Sequence, residues 1–276
     1  MRPPHRPKDT HRAPDARPRP PQRPAGRYDA PGDPALTIDA TLTQDAPFEF
    51  GQDLARRIVR REVNPKEAFT VRDGSGAWFR ASLKELGANG QGGSAVPYER
   101  LARSPEPTIE LTLACAVLAR QRMIFVAQKA TELGVTRIVP LLTERAVPVS
   151  GLEHEKAHAW PGQLLRAAKQ CRRSSLPLLS PPMTLEAALA DAQIRGADLR
   201  VALDDGLDGA DVVASAPRSV VLFVGPEGGF SDAERVKLAE STRAWTLGGR
   251  VLRAETAVLV GLAAVHLTWG DFRIGV

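Results

Sequence analysis

From residue 108 onward the chain alternates short apolar runs with longer helical stretches, the rhythm of a sheet covered by helices. Strands are predicted at 109–116, Arg137–Leu142, Leu199–Leu203, 220–225 and 244–247. Helices are predicted at 123–133, 158–173, 231–241 and 254–269. A run such as Val220-Val221-Leu222-Phe223-Val224 is apolar on both faces, so the sheet it enters is expected to be buried and largely parallel. The fold class is therefore α/β, with residues 108–276 as the main domain. No fixed-period repeat interrupts it.

Residues 28–107 read differently. Ala68–Arg72 and 77–83 are strand-like and joined by Asp73-Gly74-Ser75-Gly76, a strong hairpin signal. Before them, 51–61 has helical spacing and carries Arg56, Arg57, Arg60 and Arg61. Those four arginines are either an ordinary solvated helix face or a patch that contacts phosphates. We enter them as candidate RNA contacts. The stretch 87–94 is expected to be a flexible loop, and 104–107 a boundary. Together these features suggest a small β-rich domain.

Residues 1–27 hold eight prolines and almost nothing apolar, so they are expected to be disordered. They are either a basic arm that meets RNA phosphates or a dispensable extension. Their seven Arg and one Lys against two Asp account for the net charge of +5, because the remaining 249 residues carry 29 basic and 30 acidic side chains. An RNA surface on the folded part must then be a local patch. Cys115 and Cys171 are far apart and lie in no CxxC or Cys/His cluster, so neither a disulfide framework nor a metal site is expected. They fit a reducing cytoplasm. No segment has the length of a membrane span, and the N-terminus lacks the apolar core of a signal peptide.

Two segments carry the chemistry. In the first, the apolar run at 220–224 enters Gly225-Pro226-Glu227-Gly228-Gly229, after which Ser231 and Glu234 form a capping box that opens a helix. Ligands of open α/β sheets bind beyond the carboxyl ends of strands, and glycines there admit a ligand close to the backbone. In the second, Leu247-Gly248-Gly249-Arg250-Val251-Leu252-Arg253-Ala254-Glu255-Thr256-Ala257 again runs from strand through glycines into a helix. It carries two arginines and a glutamate, side chains that are costly near a core unless paired. There is no GK[ST] phosphate loop and no G-x-G-x-x-G after a strand.

GPEGGFSDAE followed by LGGRVLRAETA resembles the C-terminal signature of the SPOUT-class RsmE family, the 16S ribosomal RNA uridine-N3 methyltransferases. Weaker similarity runs upstream through KATELGV, Thr143-Glu144-Arg145 and AAKQCRR to the hairpin, and Gly270-Asp271 follows near the end, so the resemblance covers about 28–273. It implies an N-terminal PUA-like β-barrel, a SPOUT domain with a deep trefoil knot, and a homodimer acting on the small ribosomal subunit. It implies S-adenosylmethionine as cofactor, held by Leu203, Gly225, Pro226, Glu227, Gly228, Leu247, Gly248, Leu252, Arg253 and Ala257.

The chain departs from the family at Arg120-Gln121-Arg122, where Lys or Gly-Asp-Lys is usual. It departs again at Cys171-Arg172-Arg173, where Ser-Gly-Arg is usual, and at Ser174-Ser175, where a further Arg is common. These loops are expected to touch RNA, which makes Arg122, Arg172 and Arg173 candidate RNA contacts. Uridine N3 is protonated at neutral pH, so transfer to it needs a base or stabilisation of the anion. Arg253 is assigned to steady negative charge on the uracil or its phosphate, Glu255 or Glu227 to orient it, and Arg250 to bind RNA or the second protomer. Competing readings are a related enzyme acting on ribose 2′-OH or on tRNA, and a noncatalytic RNA-binding assembly factor.

Overall fold

The computed structural model describes residues 32–204 and 215–273; the basic segment 1–27 lies outside them. The first sheet is antiparallel and consists of β1 (Phe48–Phe50), β2 (Ala68–Arg72), β3 (Trp78–Leu86) and β4 (Gly93–Leu101), in the order β1-β4-β3-β2. Helix α1 (Gln52–Arg60) buries Leu54, Ala55 and Ile58 in a core shared with Phe69, Val71, Phe79 and Leu83. The β2–β3 turn forms as its residues dictate, with the Asp73 carboxylate accepting from the Ser75 and Ala77 amides at 3.0 and 2.9 Å. Gly74 is required there because a Cβ would stand 1.9 Å from the Asp39 carbonyl oxygen.

The sequence gives little sign of β1 and β4. The expected loop at 87–94 is instead one 3₁₀ turn, Ala88–Gly90, followed by the start of β4. Gly93 pairs with both Phe50 and Leu86. A Cβ on it would lie 2.5 Å from the Glu85 carbonyl oxygen and 2.6 Å from the Phe50 ring, so close packing rather than flexibility explains this glycine.

The second unit runs β5 (Glu110–Ala116), α2 (Arg120–Glu132), β6 (Arg137–Leu142), α3 (Trp160–Gln170), β7 (Leu178–Leu179) and β8 (Met183–Thr184). It continues through α4 (Leu185–Ala190), α5 (Ala192–Arg195), β9 (Leu199–Leu203), β10 (Ser219–Val224), α6 (Asp232–Ser241), β11 (Arg243–Trp245) and α7 (Ala254–Thr268). The sheet order is β11-β9-β10-β5-β6-β7, with β8 beside β6, and every pairing is parallel. Apolar residues of β10 fill cores on both faces, Val220 and Leu222 on one and Val221 and Phe223 on the other. Helices α2 and α7 pack together on the first face. No helix among the described residues is long and apolar enough to cross a membrane.

Charged side chains join the two units, and this corrects three of the expected RNA contacts. Arg57 and Arg61 turn inward onto Asp33, at 3.1 and 3.0 Å, with side chains 11% and 6% exposed. Arg57 also donates to the Pro34 and Ala35 carbonyls. Burial pushes the Arg61 guanidinium down to about 10, and the Asp33 charge opposes that shift. Asp33 itself bridges to Leu176 by two backbone hydrogen bonds, at 3.1 and 2.8 Å. Arg173 is likewise buried: it donates to the Thr131 and Val135 carbonyls at 3.0 and 2.8 Å and meets Glu106 at 3.3 Å.

Glu106 also accepts from the Ser174 and Ser175 amides, and Ser174 Oγ spans Leu36 and Thr70. The Cys171–Ser175 loop is therefore a junction of the two units. Of the basic residues expected to face RNA, Arg56, Arg60, Arg172 and Arg250 are exposed.

Breaking one partner of a buried pair leaves an uncompensated charge, which costs about 3–5 kcal/mol. Asp33→Asn is expected to lower the unfolding free energy by about 3 kcal/mol in a urea titration. A loss below about 0.5 kcal/mol, the usual range for a surface substitution, would show that these arginines are solvated after all.

Candidate active site

The site lies where β9 and β10 end side by side, Leu203 paired with Val224. Beyond β10 the chain makes the Gly225–Gly229 turn and enters α6, whose start is set by the expected capping box: Ser231 N donates to Glu234 at 2.9 Å, and Glu234 N to Ser231 Oγ at 3.4 Å. Glu234 also takes the Glu144 amide at 2.9 Å, and Arg145 donates to the Gly228 carbonyl at 2.8 Å. The Thr143-Glu144-Arg145 segment thus fastens the glycine turn from outside. Beyond β11 the second turn leads into α7, with Arg253 as its N-cap residue.

Both turns border one cavity of about 450 Å³. Leu203, Gly225, Pro226, Glu227, Gly228, Leu247, Leu252, Arg253 and Ala257 all line it, together with Arg250. Gly248 sits between the lining residues Leu247 and Arg250 at φ +92°, a left-handed backbone that favours glycine. A Cβ at Gly225 would stand 3.2 Å from Phe230, which leaves the turn backbone bare toward the cavity. Apolar walls from Leu203, Val224, Trp245 and Leu247 meet a charged mouth at Glu227, Arg250 and Arg253. A volume in this range suits a nucleoside-sized ligand with a flat apolar part and a charged end.

Helix α7 is held against this floor by Gly261, where a Cβ would lie 2.7 Å from Leu203 Cδ1 and 2.8 Å from Leu222 Cδ2. Arg250 and Arg253 form no salt bridge among the described residues. The Glu255 side chain is 16% exposed, and its Oε2 is buried without a hydrogen-bond partner among the described residues. Arg122 reaches the cavity from α2, 2.8 Å from Glu227 Oε1 and 3.8 Å from Glu255 Oε1.

Two site residues escaped the sequence reading. Asp204 follows Leu203 into the cavity wall, and Arg235 Nε lies 3.1 Å from both of its carboxylate oxygens. That hydrogen bond, above all, holds the Arg235 guanidinium above its ordinary range. Asp204 stands at the carboxyl end of a strand, which was the available signal. Cys115 lies at the end of β5; burial pushes its thiol up to about 12, with the Glu227 charge adding to the effect, so it is no nucleophile. No group of three or more His, Cys, Asp or Glu side chains among the described residues could hold a metal ion.

Comparison with known proteins identifies the family. A family model described as an RNA methyltransferase domain matches residues 104–266. The chain is 31% identical over 239 residues to a Synechocystis protein named ribosomal RNA small subunit methyltransferase E, covering 84% of this chain and 75% of that one. The structure of a protein of the same name from Neisseria gonorrhoeae, bound to S-adenosyl methionine, is 27% identical with a TM-score of 0.60, over 87% of this chain and all of that one. A Legionella pneumophila methyltransferase with bound SAM is 28% identical, again with a TM-score of 0.60, over 86% and 98% of the two chains. The chain belongs to the RNA methyltransferase family and, within it, to the group named ribosomal RNA small subunit methyltransferase E.

Proposed function

We propose that this protein methylates N3 of a uridine in the 16S rRNA of the small ribosomal subunit, using S-adenosylmethionine, in the cytoplasm. The observation that carries the reading is the single cavity formed by both glycine-rich turns, with Arg253 and Glu255 at the start of α7 beside it. Relatives that bear the methyltransferase E name, one of them crystallised with S-adenosyl methionine, support it. So does the lining of the cavity. The bare backbone of Gly225–Gly229 and the apolar walls suit its adenosine part, while Glu227 and Arg253 suit its charged end.

The cofactor supplies a methyl group already activated on a positively charged sulfur. The protein's task is to hold the uracil in line with it, an effect worth about 7–11 kcal/mol in well-oriented systems. Arg253, exposed at the cavity mouth and without an ion pair among the described residues, stabilises the negative charge that develops on the uracil as N3 gives up its proton to water. Glu255 and Glu227 orient the base. The target must leave its stack to reach the cavity, so a single-stranded or flipped nucleotide is required.

We extend the reading to architecture. The antiparallel sheet of residues 28–107 is assigned as a PUA-like barrel that contacts RNA, and residues 108–276 as a SPOUT domain with a deep trefoil knot. A homodimer is supported by Val260 and Leu267, two exposed apolar side chains on one face of α7, and by Val251, which is 94% exposed beside the cavity. Arg56, Arg60, Arg172 and Arg250 are assigned to RNA.

Two variants test the reading with purified protein, radiolabelled S-adenosylmethionine and small subunits that lack the modification. Arg253→Ala is expected to reduce kcat by about 10²–10³-fold with unchanged thermal stability, and a wild-type rate would remove Arg253 from the chemistry. Gly248→Ala meets no atom within 4 Å, so its effect must come from the left-handed backbone. That strain is worth about 1–2 kcal/mol, so calorimetry is expected to show S-adenosylmethionine binding weakened about ten-fold. Absence of binding by the wild type would favour a noncatalytic factor instead.

A further inference from the structure

Among the cations that line the cavity, Arg122 has no part in the proposed reaction. Arg122 sits in the first turn of α2, where the chain enters the helix through Arg120 at φ +38° and the Arg120 amide is capped by Glu155. That sharp entry aims Arg122 across the cavity at both turns. Its Nη1 is 2.8 Å from Glu227 Oε1, in the turn after β10. Its Nε is 3.8 Å from Glu255 Oε1, in the first turn of α7. One cation therefore stands between two carboxylates that arrive on separate segments.

The surroundings leave the pair of carboxylates little other compensation. Arg250 and Arg253 line the cavity from the loop before α7, but neither forms a salt bridge with Glu227 or Glu255. Arg235 is bonded to Asp204 on the opposite wall. Cys115, beneath Glu227, stays a neutral thiol at physiological pH. Without Arg122, the Glu227 and Glu255 carboxylates would be left without a cation between them, with the buried Glu255 Oε2 already lacking a partner among the described residues. They would repel, and each would be free to adopt another rotamer.

We propose that Arg122 is a positioning residue for methyl transfer: it sets the direction of Glu227 and Glu255 toward the reacting base rather than gripping RNA phosphate. This rests on the methyltransferase reading above and departs from the sequence expectation that Arg122 contacts RNA.

The test is steady-state methyl transfer to unmodified small subunits by wild type, Arg122→Ala, Arg122→Lys, Glu227→Gln and the double variant Arg122→Ala/Glu227→Gln, with thermal unfolding of each. Arg122→Ala is expected to lower kcat about 10–100-fold, as misplacement of reacting groups does, while KM for the subunit and its salt dependence stay unchanged. Arg122→Lys, which keeps a cation between the carboxylates, restores most of kcat. The double variant is no slower than the worse single variant, because both disrupt one unit.

A raised KM with unchanged kcat and a weaker salt dependence would make Arg122 a phosphate contact and overturn the proposal. So would an unchanged kcat and KM, or a loss of kcat that Arg122→Lys fails to restore. If Arg122→Ala does not fold, the Arg122→Lys variant and Arg122→Gln decide by the same split. An inactive wild type would instead defeat the reading on which the proposal rests.

Discussion

The parallel pairing of β10 between β5 and β9 is the constraint on which the site depends. It places the ends of β9 and β10 level, and β11 ends beside β9, so the turns after β10 and β11 open on the same side of the sheet. Burial on both faces makes β10 hard to shift, because a one-residue slip would exchange the residues of two separate cores. Helix α7 is then fixed by contact rather than by propensity. Its glycine at 261 lets the backbone settle against Leu203 and Leu222, and that same Leu203 forms the cavity wall. Cavity and hydrophobic core are parts of one packing arrangement.

Charge is divided between architecture and chemistry. At the junction Asp33 absorbs Arg57 and Arg61 while its backbone bonds Leu176, and the Glu106–Arg173 pair ties the antiparallel unit to the sheet domain. Buried pairs of this kind add little net stability over apolar packing, but they cannot be broken singly, so they fix geometry. At the cavity the pattern reverses. Arg250 and Arg253 remain outside any salt bridge among the described residues, although Arg122 and Arg235 are paired there. The nearly neutral folded part thus concentrates usable positive charge where the proposed RNA base must arrive.

The alternation of elements and both glycine turns were legible in the sequence because they rest on local rules. Apolar runs, a capping box and glycines at strand ends each carry a physical signal within a dozen residues. Elements that depend on distant partners were not legible. Strand β4 starts in a glycine-rich stretch whose closeness to Phe50 no local pattern reveals, so it reads as a loop. The arginines of α1 illustrate the same limit: spacing puts four on a helix, but only the position of Asp33, more than twenty residues earlier, decides that Arg57 and Arg61 turn inward. Asp204 and Arg235 meet across 31 positions for the same reason.

What unites these observations is a claim about one product. The measurement that tests it most directly is mass spectrometry of nucleosides from 16S rRNA of cells with and without this protein. The account predicts 3-methyluridine in the first and its loss in the second, restored by the wild-type chain. Unchanged 3-methyluridine, or the loss instead of a ribose-methylated nucleoside, would contradict it.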